Sequence, residues 1–177
     1  MAGTNPHYYW DTCIFVAWLK NETTRKPGEM DAILDCLNKF KKREIHLMTS
    51  VLTITEITVI KTPAGTDTLL EEVMQRPNFS KISVDIRVAK LARDMRNYYL
   101  VRKGEFGGKT LTVPDSLHLA TAILYRADEF HTFDQNNDSK YNSLGLLPLT
   151  GNVAGHDLKI CTPPIAQQLG LGLPGAG

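Results

Sequence analysis

The segment LMTSVLTITEITVI, residues 47–60, carries one charge, Glu56, among aliphatic and β-branched side chains. A carboxylate buried without a partner costs several kcal/mol even after the protein relaxes around it. On a helix, Leu52, Thr53, Val59 and Ile60 share the Glu56 face, so that face is expected to point inward. Three more acids stand in similar isolation. Asp11 is the only charge between His7 and Lys20, Asp134 follows EFHTF, and Asp115 follows Val113-Pro114 at the start of DSLHLATAILYRA. At a helix start, Asp115 is expected to be kept ionised by the positive end of the helix dipole. Ionised carboxylates gathered in one place repel by roughly 4 kcal/mol per contacting pair at intermediate dielectric. A hard divalent cation removes that cost, and oxygen ligands suit Mg²⁺ or Mn²⁺.

Such a site needs elements that bring the acids to one edge. HYYW reads as a strand ending at Asp11, followed by the apolar run CIFVAWL, which can turn helical. Residues 21–28 form a loop, and Met30, Ile33, Leu34, Leu37 and Phe40 make a helical stripe with a basic end. A strand is expected over residues 45–49, and then a helix capped by Ser50 and reaching about Lys61. Further helices are expected over residues 66–75, from an Asp85 cap to about Lys103, and from Asp115 onward, with a strand fragment or staple at residues 82–84 and a strand at 129–133. Strands alternating with helices imply an α/β protein with a parallel-type sheet. In such sheets ligands bind outside the carboxyl ends of the strands, and Asp11 and Asp134 belong to that edge.

The totals set the frame. A chain of 177 residues fits one domain with a proper core, and a net charge of +1 argues neither for nor against nucleic acid. The longest apolar run is too short to span a bilayer, so no membrane role is expected. The N-terminal MAGTNPHYYW lacks a leader pattern, and Cys13, Cys36 and Cys161 form no CxxC pattern; together these lead to a cytoplasmic expectation. The closing TPPIAQQLGLGLPGAG reads as a loose Gly/Pro-rich tail.

Four pieces in order, YYWDTCIFVAWL, SVLTITEI, VPDSLHLATAI and FHTFDQ, resemble the PIN-domain ribonucleases, including the VapC-type toxins. The intervening ISVDIRVAKLARDMR is also typical of that family. The resemblance implies a three-layer α/β/α fold with a mainly parallel central sheet over residues 1–149, followed by an extension over residues 150–177. It places metal ligands at Asp11, Glu56, Asp115 and Asp134, with Asp138 as an accessory acid and Thr132 as a supporting hydroxyl. It also implies Mg²⁺- or Mn²⁺-dependent endonuclease cleavage of RNA to a 5′ phosphate and a 3′ hydroxyl, an antitoxin partner, and a homodimer. The extension departs from the compact toxins, so the resemblance speaks more for nuclease than for toxin.

Positive charge for a phosphate backbone is available at Arg87, Lys90, Arg93 and Arg96, and again at Lys39, Lys41, Lys42 and Arg43. A solvated helix face is the blander account of the first group. Taken singly, Asp115 reads as a helix cap, Asp134 as a turn residue, Asp11 as an acid bonded to local backbone, and His118 as a packed histidine. GEFGGKT is one residue short of a P-loop and lies between the wrong elements. Two other classes compete with the nuclease. One is a PIN-like module that binds RNA or protein without cutting; the other is a phosphotransfer domain, for which YYWDTC lacks the usual second acid.

Overall fold

The computed structural model describes residues 5–58, 61–135 and 142–165. Aromatic HYYW forms β1 (His7–Trp10), and the chain turns at once into α1 (Thr12–Lys20), which ends on left-handed Asn21. Gly28, at φ 86°, opens α2 (Glu29–Lys41) in a conformation that suits glycine, and β2 (His46–Ser50) follows. Next come α3 (Leu52–Glu56), α4 (Thr66–Met74) and β3 (Phe79–Ile82). Asp85 caps α5 (Ile86–Val101) by accepting from the Arg87 and Val88 N–H groups, as its position suggested. Thr112 caps α6 (Val113–Leu124), whose first turn holds Pro114 where no intrahelical N–H is needed. Strand β4 (Glu129–His131), a 3-10 turn at Leu147–Leu149 and strand β5 (Ile160–Cys161) follow.

The strands lie in the order β3-β2-β1-β4-β5, and every pairing is parallel. Side chains alternate across β1. Tyr9 joins Phe130, Leu119, Met95 and Tyr99 in the core beneath α5 and α6. Trp10 joins Ile14, Phe15, Ile33, Phe40 and Phe79 in the core on the α1, α2 and α4 side. These two cores make the α/β/α layering. Tyr9 and Phe130 stack with centroids 4.9 Å apart and planes 8° apart, locking the two central strands on one face.

Two expectations need correction. The helix anticipated from Ser50 to Lys61 is the short α3 alone. Ser50 remains the last residue of β2, and its hydroxyl accepts from the Leu52 N–H at 3.2 Å. The run of β-branched residues costs helix propensity, and Ile57 already has an extended ψ of 106°. The strand fragment anticipated over residues 82–84 lies instead at Phe79–Ile82, paired in register with β2. The segment after Leu149 supplies β5 and buries Val153, Leu158 and Ile160 in the α5–α6 core. The folded body therefore runs to Cys161 at least, and most of the Gly/Pro-rich tail lies outside the described residues.

Because Ile160 is 3% exposed on the edge strand, Ile160→Ala is expected to cost about 2–5 kcal/mol in urea unfolding. A loss below about 0.5 kcal/mol, the range of ordinary surface changes, would show that this segment is not part of the core.

Candidate functional site

Strand β1 delivers Asp11 to the carboxyl edge of the sheet. Its N–H donates to the His131 carbonyl at 3.1 Å, extending the β1–β4 ladder by one residue. Its carboxylate is then held from several directions. Oδ1 accepts from the Thr12 N–H at 2.7 Å, so Asp11 is also the cap of α1. Oδ2 accepts from the Thr132 hydroxyl at 2.8 Å and from the Cys13 thiol at 3.3 Å. Thr132 is fully buried and also accepts from the Asp134 N–H at 3.1 Å, so one hydroxyl couples the ends of two strands. The Asp134 carbonyl accepts from the N–H groups of Leu146 and Leu147, which fixes the chain after β4.

Glu56 does have a partner. Its Oε2 accepts from the His118 ring at 2.9 Å and from the Thr12 hydroxyl. His118 is 1% exposed, and its Nε2 also lies 4.0 Å from Asp11 Oδ1. On its other side, Nδ1 is 2.6 Å from the Tyr9 hydroxyl, which itself accepts from the Ser50 N–H at 2.9 Å. With that lone pair occupied, the Tyr9 proton is directed at Nδ1, and a neutral His118 must carry its own proton on Nε2, facing Glu56. A chain of donors thus runs from the β2 backbone to the Glu56 carboxylate. Burial raises the Glu56 pKa, but the His118 and Thr12 hydrogen bonds outweigh it and leave that pKa lowered. Burial pulls His118 down, whereas the Glu56 hydrogen bond and the charges of Asp11, Glu56 and Asp115 leave it raised.

Asp115 behaves differently from the sequence expectation. Thr112 and Asp115 cap each other: the Thr112 hydroxyl donates to Oδ2 and accepts from the Asp115 N–H at 3.2 Å. Burial nevertheless pushes the Asp115 carboxyl up to about 6, and the charges of Asp11 and Asp134 add to the rise. The dipole of α6 and the Thr112 bond do not offset desolvation plus two like charges.

Asp115 is thus electrostatically coupled to Asp11 and Asp134, and His118 to Asp11, Glu56 and Asp115, which links the four acids into one group. The grouping is loose: among the described residues, no three of these four acids bring ligand atoms within 4.8 Å of one another. Asp11, Thr12, Cys13, Val16, Glu56 and Lys61 line an open cleft of about 270 Å³. The donors are carboxylates flanked by threonine hydroxyls, and Asp115 carries an uncompensated repulsion, so the set suits a hard divalent cation. A larger groove of about 500 Å³ lies against α4, lined by Ile54, Ile57, Leu70 and Met74. Asp67, Glu71 and Lys81 also line it, but among the described residues no three metal-ligating side chains converge there, and size alone does not make it the chemical site. Asp138 lies outside the described residues.

The basic groups separate under the geometry. Arg87 is paired with its own helix cap, Asp85, at 2.7 Å, and Arg93 with Asp94 at 2.9 Å. Arg96 reaches the Leu111 carbonyl at 3.4 Å, next to the segment leading into Asp115. Lys90 is exposed on the same helix. Lys39, Lys41, Lys42 and Arg43 stand where α2 runs into the start of β2, at the sheet edge opposite the acids. Sequence reasoning did not single out Lys61 in the cleft, and it read His118 only as packed. The Asp-x-x-His spacing of Asp115 and His118 was the available signal, because residues three apart share a helix face.

The sequence matches the PIN domain family over residues 8–141. No curated protein matches the chain by sequence. Among solved structures, the fold is similar to a chain of VapBC2 from Rickettsia felis bound to a DNA fragment from their promoter. That match has a TM-score of 0.55 and 18% identity, and covers 78% of this chain and 96% of the other. The fold is also similar to a chain of FitAcB from Neisseria gonorrhoeae, with a TM-score of 0.52 and 17% identity, covering 88% of this chain and 97% of the other. These likenesses concern the fold, whereas the sequence match spans most of the chain: the protein belongs to the PIN domain family, whose members are generally nucleases.

Proposed function

We propose that this protein is an endoribonuclease that uses Mg²⁺ or Mn²⁺, acting as the toxin of a toxin–antitoxin pair. The observation that carries the reading is the coupling of Asp115, a carboxyl raised by burial and by the charges of Asp11 and Asp134, to the cleft that Asp11 and Glu56 line. Asp11, Glu56, Asp115 and Asp134 would hold the ion. When bound, such an ion supplies Lewis-acid stabilisation of a phosphodiester and lowers the pKa of water. The protein's own part is positioning. Thr132 and the Thr12 N–H fix both oxygens of Asp11, and His118 and Thr12 fix Glu56. Lys61 in the cleft and Arg96 beside Leu111 offer positive charge to the RNA backbone, with the exposed Lys90 further along the helix. Arg87 and Arg93 contribute less, because each is already paired with an aspartate. Partnership with an antitoxin and a homodimeric assembly go with this reading, and the likeness to a VapBC2 chain supports them only through the fold. Among the described residues no helix is long and apolar enough to cross a membrane; a cytoplasmic location is part of the same proposal.

The direct test is RNA cleavage with Mg²⁺ or Mn²⁺ against a chelator control. Asp11→Asn and Asp115→Asn are each expected to lose about a hundredfold or more, the scale seen when one charge-stabilising group is removed. Wild-type rates in both variants would remove the assignment, and RNA retained but uncut would favour a binding module.

His118 acts through Glu56. His118→Leu is expected to weaken Mn²⁺ binding by about 10–100-fold, read as the metal-dependent rise in Tm. An unchanged metal titration would mean that Glu56 holds its place without the ring.

The raised Asp115 carboxyl sets a sign for pH. The folded protein keeps this proton to about 6, whereas the ordinary value is 3.8. Without metal, stability is therefore lost as pH rises between these values, by on the order of 3 kcal/mol. Asp115→Asn should escape this loss, so its stability relative to wild type should grow across that window, and Mn²⁺ should abolish the difference. A difference that does not change with pH would contradict the account.

A further inference from the structure

On the α2 side of the sheet, away from the acidic cleft, strand register collects three donors of different kinds. Glu129 and His131 are two apart on β4 and so share a face, and His131 pairs directly with Cys161 of β5. Their ligand atoms all lie within 4.8 Å of one another, the only such group among the described residues. Glu129 Oε2 is the centre: the His131 Nε2–H donates to it at 2.8 Å, and the Cys161 thiol points at it from 3.7 Å. Two protons are thus aimed at one oxygen, and a single cation in their place would meet nitrogen, sulfur and oxygen together.

We propose that Glu129, His131 and Cys161 form a second metal site, distinct from the acidic quartet and selective for a borderline cation such as Zn²⁺. Mixed imidazole, thiolate and carboxylate ligation is what Zn²⁺ accepts, whereas the all-oxygen quartet suits harder ions. His131 is fully buried, and burial lowers its pKa, so the ring is neutral and able to ligate. Its Nδ1 has no hydrogen-bond partner. Coordination through Nε2 moves the ring proton to Nδ1, and the Cys161 proton is released to solvent. The Tyr8 ring packs against His131 with centroids 4.7 Å apart and fixes the imidazole plane. Glu129 and Cys161 are both partly exposed, which gives an ion a path in.

The competing account is a finished hydrogen-bond network. Lys159 Nζ sits 2.6 Å from Glu129 Oε1, and with the His131 bond it neutralises the carboxylate without an ion. Lys159 holds the other carboxylate oxygen and is itself 63% exposed, so it can stay or swing away when Oε2 takes a cation. The half-buried thiol, raised to about 11 by desolvation and by Glu129, makes thiolate formation the costly step. Metal binding competes with the thiol proton and should therefore tighten as pH rises.

The test is titration of the full chain with Co²⁺ in a thiol-free reductant, followed by near-ultraviolet absorption. One equivalent is expected to give a thiolate-to-cobalt charge-transfer band that Zn²⁺ removes by competition. Cys161→Ser should abolish the band, and Glu129→Gln, which keeps the side-chain shape, should weaken binding at least tenfold. Cys13→Ser and the double variant Asp11→Asn/Asp115→Asn should leave the band intact, because Cys13 belongs to the acidic cleft. No band in the wild type, a band surviving in Cys161→Ser, or one lost with Cys13 or the acid pair, would each overturn the proposal.

Discussion

Asp115 can ionise only against its surroundings, because burial and the charges of Asp11 and Asp134 hold its carboxyl at about 6, and the site around it is organised by that repulsion. Each acid that must stay charged receives donors that cannot leave: backbone N–H groups, buried threonine hydroxyls, or the His118 ring. Asp11 has Thr12, Cys13 and Thr132, and Glu56 has Thr12 and His118. Hydrogen bonds to the charged form lower a carboxylate's pKa, and they leave Glu56 lowered in spite of its burial. The repulsion left over falls on Asp115, whose carboxyl accepts from the Thr112 hydroxyl and is pushed up by burial and by its neighbours.

The parallel sheet is what makes the gathering unavoidable. Strands β1 and β4 run side by side in one direction, so the residues that follow them, Asp11 and Thr132–Asp134, emerge at the same edge. The β2 strand delivers Ser50 and then α3 to that edge as well, and α6 enters it with Asp115 in its first turn. The Tyr9 hydroxyl ties the arrangement to the core: its ring is buried against Phe130, while its oxygen links Ser50 of β2 to His118 of α6. One side chain thus couples packing beneath the sheet to the orientation of Glu56 at its edge.

Much of this was legible in the chain because the signals were local. HYYW before Asp11, Asp85 before ISVDIRVAKLARDMR and the Pro in VPDSLHLATAI mark element boundaries through strand propensity, capping and fixed φ. The α3 boundary was not legible: a helical face can be read into any apolar segment, and SVLTITEITVI is β-branched enough to stop after one turn. The role of β5 was hidden for another reason. A strand of two residues has no period to detect, and Ile160-Cys161 is recognisable only by its pairing with β4. His118 was misjudged by half. It is packed and hydrogen-bonded, as a lone histidine usually is, but its partners are the candidate ligands, and that depends on three elements meeting. The ionisation of Asp115 went the other way, because the dipole argument sees one helix and not the neighbouring acids.

The central claim is that Asp11 and Asp115 share an ion. Anomalous scattering from crystals soaked in Mn²⁺ tests it most directly. A peak within about 2.0–2.6 Å of carboxylate oxygens from both residues is the expected result. Manganese found elsewhere alone, or no peak between these two carboxylates at saturating metal and pH above 7, would contradict it.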